Sequence, residues 1–206
     1  MSPRKFCAGF IYVWNILMWP SPRKLCGTRL TLLPLSHAHA AQLAQATKIT
    51  AHMPEGCRLP VRHDMQGEIS YLLERQADGL GLSYAIQTSD SRLIGWISFS
   101  SIDRANKRLE IGNIWLASKD MELFIEMMTM LMTFGFEVAG ANTIQLRSLA
   151  DNSSHRMLLA GLGANLDGVL RGDIVAKDGS AKDVAVYSIL NTEWSTKSDT
   201  LLARLN

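Results

Sequence analysis

The residues from Arg108 to Glu137, RLEIGNIWLASKDMELFIEMMTMLMTFGFE, join an alternating apolar run to a helical one. A strand that runs into a helix is a place where α/β proteins hold phosphate, because the free N–H groups and the dipole of a helix start both favour an anion. Such cradles are usually glycine-rich, since backbone N–H groups must turn inward with no Cβ in the way. This junction has no glycine between Gly112 and Gly135, carries Asp120 and Glu122 at the turn, and offers Lys119 as its local cation. Two readings follow. The turn is a phosphate site altered by carboxylates, or SKDMELFIE simply starts the helix, with Ser118 or Asp120 as N-cap and Glu122 favourably placed in the first turn.

Other residues with reactive side chains form weaker patterns. His37, His39, His52 and His63 show no metal-ligand spacing beside a carboxylate or cysteine, so no metal is assigned. Cys7, Cys26 and Cys57 are an odd set without a CxxC spacing, which suits small apolar fillers in a reducing compartment. Met127, Met128, Met130 and Met132 point to all sides of their helix and read as core filler.

The elements that position these residues can be read from periodicity. GTRLTLLPLS alternates like a half-buried strand, and SHAHAAQLAQAT follows with a Ser cap and helical spacing. Residues 48–62 are irregular, and DMQGEISYLLERQADG then reads as a helix ending at Gly79. LSYAIQTS, RLIGWISFSSI and RLEIGNIWL form an antiparallel meander. After the central helix, NTIQLRSL is a strand and DNSSHRMLLAGLG a short helix closed by Gly163, which implies a βαβ crossover. ANLDGVLRGDIVA and KDVAVYSIL pair across an Asp-Gly turn, and a tail from Asn191 ends in a helical turn at LLARL. The plan is α+β, with a mostly antiparallel sheet and one parallel crossover.

A chain of 206 residues with 47% hydrophobic content suits one well-cored domain. Its net charge of +2, without a basic run interleaved with aromatics, argues against a nucleic-acid partner. The apolar run from Phe6 to Trp19 imitates a signal peptide. Asn15 interrupts it, however, no A-x-A site follows directly, and the run falls short of the ~20 residues that a spanning helix needs. Residues 1–21 therefore read as an N-terminal extension, with Met18 as the favoured true start. Residues 22–206 read as the domain, and the expected location is cytoplasmic.

Taken together, LCGTRLTLLPLS, RLEIGNIWLA, the run from FGFEVAGANTIQLRSLADNSSHRMLLAGLGA to DVAVYSIL, and TEW resemble the GNAT superfamily of acetyl-CoA-dependent N-acetyltransferases. Within it they are similar to the ribosomal-protein N-terminal acetyltransferase branch and its small-amine relatives. The resemblance covers about residues 24–206. It implies a mixed sheet with a splayed strand pair, flanked by helices, and transfer of acetyl from acetyl-CoA to a small-molecule amine or a protein N-terminus by direct attack. It casts Trp115, Leu116 and Ala117 as main-chain contacts to the cofactor arm, with Asn152 reaching the same arm and Lys119 near its phosphates. Glu110 takes the place of the acid that accepts the amine proton. His155 stands near the thiol as a candidate acid for the leaving thiolate, and Tyr187 is a candidate for the cleft wall. The branch commonly has a glycine-bearing phosphate loop where this chain has WLASKDMELFIE, about two residues shorter and without either glycine. That departure supports an alternative expectation, a weak or inactive relative retained as a binding module.

Overall fold

A computed structural model describes residues 19–47, 60, 64–176 and 178–205. The expected extension before Trp19 and most of the irregular stretch 48–62 lie outside the described residues. Eight strands form one sheet in the order β1-β2-β3-β4-β5-β6-β8-β7. They are β1 (Leu25–Cys26), β2 (Leu30–Pro34), β3 (Leu82–Thr88), β4 (Leu93–Asp103), β5 (Arg108–Leu116), β6 (Thr143–Leu149), β7 (Asn165–Val175) and β8 (Ala181–Leu190). Every pairing is antiparallel except that of β5 with β6. The meander, the single parallel crossover and the closing hairpin thus stand as the sequence predicts.

Among the described residues, five α-helices cover the sheet: α1 (Ala40–Ala46), α2 (Met65–Ala77), α3 (Met121–Thr133), α4 (Ser153–Gly161) and α5 (Asn191–Ala203). Helices α1 and α2 bury Leu43, Ile69 and Leu72 against Ala85, Trp96 and Trp115. On the other side α3 buries Met127, Met128, Leu131 and Met132 against Tyr84, Ile97, Phe99 and Leu109. The methionine-rich helix is therefore core, and alternation along β3 sends Tyr84 and Ile86 to one cluster and Ala85 to the other. None of the described helices is long and apolar enough to cross a membrane.

β5 carries a bulge that the alternating pattern did not reveal. Trp96 faces Trp115 but Ser98 faces Gly112, so two residues of β5, Asn113 and Ile114, oppose the single Ile97 of β4. Asn113 takes φ +48°, in the left-handed region that asparagine tolerates better than most residues. One extra residue flips every later side chain to the other face. Accordingly Leu109 and Ile111 pack in the α3 cluster, whereas Trp115 and Ala117 pack in the α1/α2 cluster and Leu116 returns to the α3 side.

The C-terminal tail differs from expectation. It forms the three-turn helix α5 rather than one turn. Trp194 stacks on Phe136 at 5.2 Å between ring centroids, and its indole N–H donates to Glu137 Oε1 at 3.1 Å. Its buried stripe, Trp194, Ser198 and Leu201, has the i, i+4, i+7 spacing of a packed helix. A serine sits in the middle of that stripe and the flanking residues are weak helix formers, so tertiary packing rather than propensity makes the helix. Trp19 also packs against the core, and its indole N–H donates to Ala139 O at 2.8 Å.

Candidate functional site

β5 and β6 pair only from Arg108↔Thr143 to Ile111↔Leu146. Beyond that point the two strands share no register, and a cleft opens between the rest of β5 and the end of β6. It holds a cavity of about 200 Å³ whose walls include Ser100, Glu110, Asn113, Arg147, Ser148 and His155. A second cavity of about 70 Å³ shares Asn113, Arg147 and His155 with the first and is walled on its apolar side by Phe124 of α3, Leu146 and Leu159 of α4. The larger cavity is the more polar of the two, and His155 stands at both.

Glu110 is half-buried, and the Ser100 hydroxyl donates to its Oε1 at 2.9 Å. Gly112 makes this contact possible, because a Cβ there would lie 2.6 Å from Ser100 Oγ. Two cations near Glu110 on the sheet are engaged elsewhere: Arg147 pairs with Asp173 and Arg108 with Asp103. Among the described residues, Glu110 Oε2 has no hydrogen-bond partner, so the carboxylate faces the larger cavity with one oxygen anchored and one available.

His155 sits in the first turn of α4. Asn152 caps that helix, its Oδ1 accepting the His155 N–H at 3.0 Å. The imidazole Nδ1 lies 3.0 Å from Ser148 Oγ, and the Ser148 hydroxyl lies 3.1 Å from Leu149 O. With the hydroxyl proton directed at that carbonyl, Nδ1 carries the imidazole proton and Nε2 keeps its lone pair. Burial holds the His155 pKa below the ordinary histidine value, because the charged ring would be poorly solvated there. The geometry places an imidazole held by Ser148 at both cavities, and burial favours its neutral form.

The backbone of β5 adds an open edge. Ala117 N–H donates to Ile94 O at 2.6 Å, and Trp115 is aligned with Trp96. Residues of an antiparallel pair alternate between turning their peptide groups to the partner and away from it. By that alternation Trp115 and Ala117 direct theirs to β4, while Leu116 turns its N–H and C=O to the edge that β6 has left. Of the three expected main-chain contacts, Leu116 is the one so placed; the Trp115 ring packs edge-on against Trp96 at 4.8 Å.

Tyr187 is buried beside Leu146, a wall of the smaller cavity, without lining either cavity itself, and its hydroxyl accepts from Arg156 Nε at 3.0 Å. Lys119 lies exposed on the turn before α3. That turn is closed by its own side chains. Asp120 is the N-cap of α3, and its Oδ1 accepts from Glu122 N at 2.9 Å and Leu123 N at 3.2 Å. Asp120 Oδ2 also accepts from Arg29 at 2.6 Å, and Arg29 reaches Glu122 at 2.7 Å. The Arg29 bond holds the Asp120 carboxyl below the usual carboxylate range. Sequence reading offered Asp120 as a cap but gave no sign of Arg29, which is 91 positions away along the chain.

A family model described as an acetyltransferase (GNAT) domain matches residues 29–165, which include β5, the cleft, α3 and α4. The chain belongs to the GNAT acetyltransferase family. It is 30% identical over 112 residues to the uncharacterized N-acetyltransferase YoaA of Bacillus subtilis, a match covering 53% of this chain and 63% of that protein. It is 29% identical over 108 residues to YdaF of the same organism, provisionally assigned as a ribosomal N-acetyltransferase, covering 51% of this chain and 57% of that one. The matches thus span less than two thirds of either curated relative. Among solved structures, a GCN5-related N-acetyltransferase from Brucella melitensis superposes with a TM-score of 0.77 at 21% identity, covering 94% of this chain and 91% of that one, which supports the fold. Within this GNAT domain, Phe124, Leu159, Ser100 and Ser148 are site residues that sequence reading passed over. Gly112-Asn113 inside an otherwise regular strand was the available signal, since a strand-interior glycine beside an asparagine marks a bulge. No cluster of three metal-ligating side chains occurs among the described residues.

Proposed function

We propose that this chain is an N-acetyltransferase that moves an acetyl group from a thioester donor, acetyl-CoA, to a primary amine at the cleft between β5 and β6. The observation that carries the reading is the cleft itself, where two cavities with shared walls, one lined by a half-anchored carboxylate and one mainly apolar, lie beside a strand edge with an unpaired peptide. The pantetheine arm of such a donor is an amide-bearing chain. It fits an open strand edge at Leu116 and a narrow apolar wall of Phe124 and Leu159, in the manner of an added strand.

The donor supplies an activated carbonyl. The amine nitrogen bonds to that carbon, the carbon–sulfur bond breaks with its electron pair leaving on sulfur as a thiolate that takes up one proton to become the free thiol, and the nitrogen loses one proton. Glu110 Oε2 is the acceptor for this proton, with Ser100 holding the other oxygen so that the carboxylate does not rotate away. Neutral His155, fixed by Ser148, offers Nε2 to an N–H at the junction of the two cavities. Because both reactants share one cleft, positioning supplies much of the rate. Arg147, held by Asp173, borders the acceptor side.

The acceptor is a small-molecule amine or a protein N-terminus, and the similarity to YdaF favours the latter. The test is release of free thiol from acetyl-CoA in the presence of two acceptor sets, peptides with free N-termini and small primary amines. Amine-dependent release, with the acetyl group recovered on nitrogen, is the expected result. Release that does not depend on amine, or acetyl recovered only on oxygen, would end the reading. The self-capped turn before α3 gives some support to a second reading, a GNAT fold retained as a binding module.

A further inference from the structure

We propose that this chain recognises its donor through the pantetheine arm alone, and that Asp120, Glu122 and Arg29 fill the place that a coenzyme's diphosphate would need. The proposal rests on the thioester reading of the cleft given above. An arm laid along the open edge of β5 leaves the strand after Leu116 and arrives at Ala117–Asp120, directly before α3. Whatever the arm carries beyond its amides therefore meets the start of that helix.

A helix start ordinarily welcomes phosphate, through unpaired N–H groups and a positive dipole end. Here three of the four donors are spoken for. Asp120 Oδ1 accepts the N–H groups of Glu122 and Leu123, and Ser118 Oγ accepts the N–H of Asp120 at 3.1 Å. The dipole already has its anion in the Asp120 carboxylate. Of the two cations at the site, Arg29 is bonded to Asp120 and Glu122 together, and Lys119 lies exposed beside them.

Its loop is fixed as well. The buried Glu126 accepts from Thr28 N at 2.5 Å and from Arg29 N at 2.9 Å, which ties the turn between β1 and β2 down over α3. A diphosphate would have to displace a capping carboxylate and approach two more, with one guanidinium already engaged and the exposed Lys119 to answer all of them. The acetyl-CoA implied by the family thus fits this chain at its arm and not at its diphosphate. The chemistry selected is that of an S-acyl-pantetheine thioester. It is common to the coenzyme and to any arm carried on a single phosphate ester.

The experiment is calorimetric titration of the full chain with three donors: acetyl-CoA, S-acetyl-4′-phosphopantetheine and S-acetylpantetheine. The expected result is three dissociation constants within about 3-fold of one another, since the parts that differ make no favourable contact. Asp120→Asn keeps a good N-cap but removes one charge. It is expected to tighten acetyl-CoA by about 5-fold while leaving S-acetylpantetheine unchanged. Acetyl-CoA binding about 100-fold or more tighter than S-acetylpantetheine to the native chain would overturn the proposal and leave the thioester reading intact. A marked preference for the singly phosphorylated arm over the unphosphorylated one would overturn it too. Failure of all three to bind would overturn the thioester reading, and this proposal with it.

Discussion

Glu110→Gln is expected to lower kcat/KM for acetyl transfer by about a hundredfold or more, with KM for the thioester and the unfolding free energy left near their native values. The substitution keeps size and shape. Glutamine can still accept from the Ser100 hydroxyl through its amide oxygen, so the Ser100 contact at 2.9 Å need not break. What is lost is a group able to take the amine proton. The apolar cavity proposed for the arm does not include Glu110 among its walls, so donor affinity is expected to be insensitive to the change. A variant with unchanged kcat/KM at neutral pH would remove Glu110 from the mechanism and move attention to His155. A variant with a large rise in thioester KM would mean that Glu110 shapes the arm site rather than accepting a proton.

Gly95→Ala is expected to destabilise the chain by about 3 kcal/mol or more and to impair thioester binding beyond the loss of folded protein. Gly95 has φ +151°, and a Cβ added there would lie 1.9 Å from Trp115 O and 3.0 Å from Leu116 Cα. Those atoms are backbone, which cannot swing aside as a side-chain tip can. β4 and β5 would have to separate at the residues that hold the open edge in place, and the Trp96–Trp115 contact at 4.8 Å would open with them. Urea unfolding measures the first effect. Titration with S-acetylpantetheine at a temperature where the variant is folded measures the second. A loss below about 1 kcal/mol would show that this strand pair yields more readily than packed backbone should.

The strands and helices that frame the cleft were legible because their apolar residues recur with periods that only one face can satisfy. RLEIGNIWL alternates, MELFIEMMTMLMT repeats at helical spacing, and Asn152 and Gly163 bracket the short helix between them. The resemblance then placed Glu110, His155 and Asn152 at the cleft, and the first two line its larger cavity while the third caps the helix that carries His155. Other features were hidden for identifiable reasons. The bulge at Asn113 changes which face Trp115 and Leu116 occupy, and alternation counted straight through GNIWL cannot register an inserted residue. Helix α5 depends on Trp194 docking against Phe136, a contact between residues far apart along the chain. Phe124 and Leu159 look like any other apolar residues of amphipathic helices, and only the parting of β5 from β6 turns them into cavity walls.

The turn before α3 was half legible. Its missing glycines and its two carboxylates could be seen directly, and they supported a reading as a plain helix cap as readily as one of an altered phosphate site. Asp120 does cap the helix. What adds meaning is Arg29 bridging Asp120 and Glu122, with Glu126 anchoring the loop that delivers it. No local pattern announces a clamp between a turn near residue 28 and a helix start near residue 120.

The central claim is that a thioester arm lies in the cleft between β5 and β6. Its most direct test is the backbone amide spectrum of the isotope-labelled full chain, recorded with and without saturating acetyl-CoA. The largest shifts are expected at Gly112–Ala117 on one side of the cleft and at Ser148–His155 on the other, with the Leu116 amide protected from solvent exchange. Largest shifts confined to α1 and α2, or none at saturation, would contradict it.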